Sequence, residues 1–404
     1  MTGATAPPGR GPVAGWQQRI AEADVVVVGP APPLRGGIAA HSARLVEQLR
    51  GQGIAACAVS YVRLYPQMLF PGRSQHTSVR RPPWCEEVID ALAPSNWWEI
   101  RRVLSASRAT VVLQWWHPVV APALLAITSG LARERIVAVC HNALPHEPVP
   151  GAAAAARAVL ARCGRIVCHS TVQADLVRRL LGSRAGLIEE APLPCLLDAV
   201  DFDDPNGRVV PAELAGLPPD ARYFVAAGHQ RPYKGVAVLL KAWAMARRPP
   251  GARLLLVGES YLRGRARREV ALRVGKDPTI VLVDRYVDDM DLVCFLDSAE
   301  ALVAAHLTAS QSGIIPIALA LGLPCIVSDA GGLAVQAGAG AGPGARVVVR
   351  AGDVAALATS LEERLELAPR RAAALATQRG RRRRPDFTKD WQRVVEAMGI
   401  GRRP

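Results

Sequence analysis

Lysine is nearly absent from this 404-residue chain. Lys234, Lys241, Lys276 and Lys389 are the only four, so arginine carries almost all of the basic side of a formal net charge of +14. That skew matches the codon usage of a GC-rich genome, and the excess charge points to anionic partners. No run of about 18 uninterrupted apolar residues occurs, which excludes a spanning helix of ordinary length. The eight cysteines form no CxxC pair, so buried free thiols are expected. A zinc site drawn on paper from Cys140, His141, Cys163, Cys168 and His169 matches no common zinc spacing, and no metal site or cofactor is expected. No GxxxxGK[ST] sequence is present, which argues against a P-loop ATPase. Residues 1–15 are rich in Gly, Pro and Ala without a long apolar core, unlike a signal peptide. A cytoplasmic protein is the expectation, with any membrane contact peripheral to the inner face.

What is present supports packed cores: half of the residues are hydrophobic and 21% are charged. Val25-Val26-Val27-Val28 is a continuous β-branched run, suited to a strand buried on both faces. A glycine-rich turn and a helical pattern over Ile38–Leu49 follow. Strands are expected at Ala55–Val62, Val111–Leu113, Ile136–Cys140 and Ile166–Cys168, with helices over Ala121–Leu131, Ala152–Arg162 and Ala174–Leu181. Prolines punctuate residues 190–220, the best linker candidate. A second series then places strands at Tyr223–Ala227, Leu254–Val257, Ile280–Val283, Ala301–Ala304 and Cys325–Val327, and a helix over Val236–Arg247. Alternating β and α elements imply two doubly wound parallel sheets facing across a cleft. The expected division is residues 1–200, residues 201–385, and a C-terminal helix or tail over 386–404 packing back on the first domain. Ligands of such sheets bind beyond the C-terminal strand ends. The Gly/Ala tract at Ala337–Gly344 has a GxGxxG-like spacing but neither follows a clear strand nor opens a clear helix.

Four stretches carry candidate chemistry. Gly228-His229-Gln230-Arg231-Pro232-Tyr233-Lys234-Gly235 puts two cations at a strand-to-helix turn, an arrangement that suits a phosphate; a solvated loop with incidental cations fits the same residues. Ser310-Gln311-Ser312-Gly313 precedes a helical run over Ile314–Leu321. Backbone amides pointing outward at such a start suit a diphosphate, and ordinary capping is the plainer explanation. Gly36-Gly37-Ile38 follows the first strand, where glycine permits close backbone approach to a ligand and a tight turn needs it equally. His117, after Gln114-Trp115-Trp116, suits a hydrogen bond to a sugar hydroxyl or a proton transfer; a structural histidine accounts for it as well. His141, Asn142 and His146 also follow a strand and are candidates for acceptor or sugar contacts.

Taken together, in order and spacing, these stretches resemble the retaining glycosyltransferases of family 4, which have the GT-B fold. The likeness runs from about Val25 to Trp391. Its marks are the turn at Gly36–Ile38, the YKG loop at Tyr233–Gly235, and SQSG…ALG-P…DAGG from Ser310 to Gly332. The resemblance implies a C-terminal domain that holds a nucleotide-diphosphate sugar. In it Arg231 and Lys234 match the basic pair on the diphosphate, and Gly228, Gly258 and Glu259 match strand ends near the nucleotide. Tyr286 and Val287 match the segment whose backbone meets the base. His117 matches the histidine near the reacting sugar, and Gly37 the turn facing diphosphate and sugar. The sequence departs from the family's Glu-x7-Glu pair: Ala309 and Ile317 stand there, and the SQSG version resembles a subset that supplies backbone and small polar groups instead. The implied activity is hexosyl transfer with retention, to a glycan, lipid-linked or small-molecule acceptor, in cell-envelope glycan biosynthesis. An epimerase, a phosphorylase or a non-catalytic nucleotide-sugar-binding homologue are the competing classes. No nucleic-acid partner is expected. Residues 63–73, RLYPQMLFPGR, mix apolar, aromatic and basic side chains and suit either an anionic membrane surface or packing within the first domain. Arg379 and Arg381–Arg384 form a basic run that suits a solvated face.

Overall fold

The computed structural model describes residues 15–64, 74–77, 80–91, 93–197, 209–338, 346–367 and 387–401. By contacts the chain divides into two units, one of Met1–Pro192 with Thr388–Pro404 and one of Leu193–Phe387. The arginine run at 379–384, most of the Gly/Ala tract and most of the 63–73 segment lie outside the described residues.

The first unit is built on β1 (Val25–Val28), β2 (Ala56–Arg63), β3 (Cys85–Asp90), β4 (Thr110–Trp115), β5 (Ile136–Cys140), β6 (Arg165–Cys168) and β7 (Leu187–Glu190). They form one parallel sheet in the order β3-β2-β1-β4-β5-β6-β7. Val25–Val28 pair with Ala56–Val59 on one side and Thr110–Leu113 on the other, and all four valines are buried. A central strand covered on both faces has no polar face, hence the unbroken apolar run. The helices are α1 (Trp16–Ala21), α2 (Gly37–Gly51), α3 (Pro94–Ala106), α4 (Ala121–Ile127), α5 (Ala152–Leu160) and α6 (Thr171–Leu181). Helix α6 starts three residues before the apolar pattern does, because Ser170 caps it by accepting the Gln173 N–H at 3.4 Å. Helix α4 stops short of Leu131, in the turn at Thr128–Gly130.

The second unit carries β8 (Arg222–Ala227), β9 (Ala252–Val257), β10 (Ile280–Val283), β11 (Ala301–Ala304), β12 (Cys325–Ser328) and β13 (Arg346–Val349). Its parallel sheet runs β10-β9-β8-β11-β12-β13. Around it lie α7 (Ala212–Ala215), α8 (Val236–Met245), α9 (Gly264–Lys276), α10 (Asp289–Asp297), α11 (Ile314–Ala320), α12 (Leu333–Gly338) and α13 (Val354–Leu367). The last helix, α14 (Thr388–Ala397), belongs to the first unit, where Trp391, Val394 and Val395 are buried and it packs on α2.

In both sheets the chain starts at a central strand, moves outward, and then crosses to the other side of the starting strand. The reversal falls between β1 and β4 in one sheet and between β8 and β11 in the other. Loops leaving the two strands on either side of a reversal diverge and leave a crevice at the carboxyl ends. Gly36, Gly37 and His117 follow β1 and β4; Arg231, Lys234 and Ser310–Gly313 follow β8 and β11. All eight cysteines are free thiols; seven are buried and Cys294 is half-buried.

Candidate functional site

In the second unit, Gly228 ends β8 at φ 99°, a backbone shape that suits glycine. A Cβ there would lie 2.6 Å from Lys234 Nζ and 3.9 Å from Ile314 Cγ1. The missing side chain therefore leaves the place that the lysine ammonium occupies, beside the first residue of α11. Burial first, and the Arg231 cation second, together lower the Lys234 pKa to about 8. Arg231 itself lies with its guanidinium carbon 5.0 Å from the centroid of the Tyr261 ring, on which His229 stacks at 4.7 Å. Two cations held together in a partly desolvated place disfavour each other, and a polyanion reverses that balance.

The loop after β11 joins the same turn, the Leu307 N–H donating to the Tyr233 carbonyl at 2.7 Å. Ser310 and Ser312 are buried, and Gln311 and Gly313 half-buried. Here the structure corrects one expectation. The Ser312 amide does not point outward to a ligand: it donates to Gln336 Oε1 at 2.9 Å, while Gln336 Nε2 donates to the Ser312 carbonyl at 2.9 Å. An anion at the start of α11 therefore does not take the Ser312 amide. Gly332 N–H donates to the Ser310 carbonyl at 3.2 Å, so the 329–332 turn backs the same loop. Ile317, where the family's second glutamate is expected, is buried in the core, and Ala309 packs partly against it.

Gly258 and Glu259 follow β9, with Glu259 buried. The Glu259 carbonyl accepts from the Gln230 N–H at 3.0 Å and the Gly258 carbonyl from Gln230 Nε2 at 3.3 Å, which ties this strand end to the 228–235 loop. Tyr286 and Val287 follow β10 and are half-buried. The neighbouring Arg285 is anchored to Glu213 at 2.9 Å and to Asp291 at 2.8 Å, and both carboxylates raise its pKa.

In the first unit, Gly36 precedes α2 at φ 110° with open space where a side chain would begin, and Gly37 opens the helix. His117 is half-buried and caps the turn at Pro118–Val120: its Nδ1 accepts the Val119 N–H at 3.2 Å. That bond sets the neutral tautomer, leaving Nε2 as the protonated nitrogen. Asn142 and His146 are half-buried in the loop after β5. His141 is buried and its Nε2 donates to Gln114 Oε1 at 2.6 Å. It belongs to a cluster with His41 of α2 and His169 after β6, at ring separations of 4.7, 5.2 and 5.5 Å, and Trp391 of α14 lies 5.1 Å from His41. His169 Nδ1 donates to the Ala191 carbonyl at 2.9 Å. Burial holds the pKa of all three well down, His169 at about 4, so the cluster is uncharged at neutral pH. Among the described residues no group of three or more His, Cys, Asp or Glu is disposed to hold a metal ion.

Gln336 and Tyr261 escape a reading of the sequence. Tyr261 carries a weak signal, standing two residues past the strand-end Gly258-Glu259; Gln336 carries none, because its partner is 24 residues away.

The two halves match different family models. The Glycosyltransferase Family 4 model matches residues 35–192, and the Glycosyl transferases group 1 model matches residues 221–366. The chain thus carries the two domains of a GT-B-type glycosyltransferase. Its fold is similar to that of the sucrose-phosphate synthase of Thermosynechococcus elongatus, with 17% identity, a TM-score of 0.63, and 93% of this chain and 96% of that one covered. It is similar to Anabaena HepE in complex with UDP and glucose, with 14% identity, a TM-score of 0.64, and 93% and 99% covered. WaaG, a glycosyltransferase involved in lipopolysaccharide biosynthesis, has 15% identity, a TM-score of 0.64, and 93% and 100% covered. No curated protein matches by sequence.

Proposed function

We propose that this glycosyltransferase moves a hexosyl group, with retention, from a nucleoside-diphosphate sugar, and that Lys234, Arg231 and the start of α11 hold the diphosphate. The observation that carries the reading is the Lys234 ammonium. It is seated against Gly228 and beside Ile314, and its pKa is lowered by burial and by a second cation. That UDP or UDP-sugars occupy structures of this fold supports a uridine donor as the first to test.

The chemistry follows from charge. The bond between the anomeric carbon and the β-phosphate oxygen breaks, and negative charge builds on that oxygen. Lys234 and Arg231 stabilise it more in the transition state than in the bound donor, which is the condition for acceleration. The acceptor hydroxyl forms the new glycosidic bond, and its proton passes to the departing phosphate oxygen. His117, with its proton on Nε2, has a donor to offer a sugar hydroxyl and no free Nδ1 with which to act as a base. The charge excess of the chain favours an acceptor presented at an anionic envelope surface.

Lys234→Ala tests the assignment. Turnover of the accepted sugar nucleotide, found by screening UDP-, GDP- and ADP-sugars, is expected to fall about 100- to 1,000-fold, with the circular dichroism spectrum unchanged. Near-normal turnover removes the lysine from the mechanism.

A further inference from the structure

Between Ser312 and α12 there is a bond pattern that a donor site does not need for folding alone. Gln336, half-buried on α12, meets the Ser312 peptide with both ends of its carboxamide: Oε1 takes the Ser312 N–H and Nε2 gives to the Ser312 carbonyl, each at 2.9 Å. The two bonds close a ring between one side chain and both polar groups of one residue. Such a ring fixes the peptide's plane as well as its position. The turn before α12 adds a second hold. Gly332 donates to the Ser310 carbonyl, and Gly331, at φ 55°, approaches so closely that a Cβ there would stand 1.7 Å from the Ala309 carbonyl oxygen. The loop leading into α11, whose first residue lies beside the Lys234 ammonium, is thus gripped at both ends by one short element, residues 331–336.

We propose that Gln336 is a positioning residue for the donor diphosphate: its carboxamide holds the Ser310–Gly313 loop in the conformation that receives the leaving group. The inference rests on the reading of the second unit as the nucleotide-diphosphate site. Only a group with one acceptor and one donor on adjacent atoms satisfies Ser312 this way. A glutamate at 336 meets the N–H but repels the carbonyl, and it places a negative charge beside the anion. When protonated, the same glutamate has one C=O and one O–H, and so restores the amide's pattern. A role held through hydrogen bonding therefore has a pH signature that a space-filling role lacks.

The test measures UDP affinity by titration calorimetry in the full chain for wild type, Gln336→Glu, Gln336→Leu and Lys234→Ala, at pH 5 and pH 7.5. The expected result is that Gln336→Glu and Gln336→Leu bind about tenfold more weakly than wild type at pH 7.5. At pH 5 the glutamate variant alone approaches wild type. Urea midpoints of all variants at each pH identify any loss of fold, and the leucine variant, which carries no charge, keeps the comparison available if the glutamate variant does not fold. If Lys234→Ala loses affinity while both Gln336 variants bind like wild type, the role of Gln336 is overturned and the diphosphate site stands. A glutamate variant equally weak at both pH values also overturns it. Unchanged affinity in Lys234→Ala overturns the site, and this inference with it.

Discussion

Raising the pH from 7 to 9 should loosen UDP about tenfold, and the lysine beside Gly228 should be the cause. In the free protein the Lys234 pKa lies near 8, against an ordinary value of 10.5. That displacement corresponds to roughly 3 kcal/mol of bias toward the neutral amine. A diphosphate supplies the opposite charge and returns the group toward its ordinary value or above. The free protein therefore sheds a proton through pH 8 that the complex retains, and affinity present below pH 8 is lost as the pH rises through it. With a folded-state value of about 8, linkage gives a tenfold weakening by pH 9. The assay is calorimetric titration with UDP at pH 7, 8 and 9, run in parallel on Lys234→Met. Ionisation of the uracil ring is common to both proteins, so the difference between their slopes isolates the lysine. The variant should bind about 2 kcal/mol more weakly at pH 7, roughly thirtyfold, and the gap should narrow by pH 9. Parallel slopes in wild type and variant would refute the reasoning, because the ammonium would then not face the phosphate.

Two further outcomes concern stability. The uncharged histidine cluster should make the protein acid-labile: folded His41, His141 and His169 titrate below the ordinary 6.5, so the unfolded chain binds more protons and stability falls as pH drops through the window from 6.5 to 4. His169 alone contributes about 3 kcal/mol to that loss by pH 4, and His41→Leu should make the urea midpoint fall less steeply with pH. Gly331→Ala should lower the urea midpoint by an amount equivalent to about 2 kcal/mol or more, since its Cβ meets a backbone carbonyl that cannot yield cheaply; an unshifted midpoint counts against the grip on residues 309–312.

Much of the fold is visible in the sequence wherever a strand is apolar throughout. Val25–Val28, Ile136–Cys140, Ile280–Val283 and Ala301–Ala304 have the bounds their composition suggests. Strand β3 is not visible, because Glu86 and Glu87 stand in its middle. Both are buried, one paired to Arg19 and the other to Arg81 at 3.7 Å, and a paired carboxylate looks like a loop residue until its partner is known. Helix α9 is hidden similarly: Val270 is its one fully buried residue, and a basic run masks the pattern. Short β7 has no apolar run. Gly228 and Lys234 in one unit and His117 in the other are candidates that the sequence offers, because a strand end followed by glycine, cation or histidine is a local pattern. The engagement of the Ser312 amide is not among them, because it depends on a side chain brought in by another helix.

Helix α14 has a bearing on how this protein comes into being. Its Trp391 closes over His41, yet nearly two hundred residues of another unit separate it from the rest of its own. On the ribosome, the first unit stays unfinished until α14 has left the exit tunnel. A chain lacking α14, however complete its second unit, would still carry an uncovered histidine face. Sealing that face therefore waits on synthesis of the whole second unit.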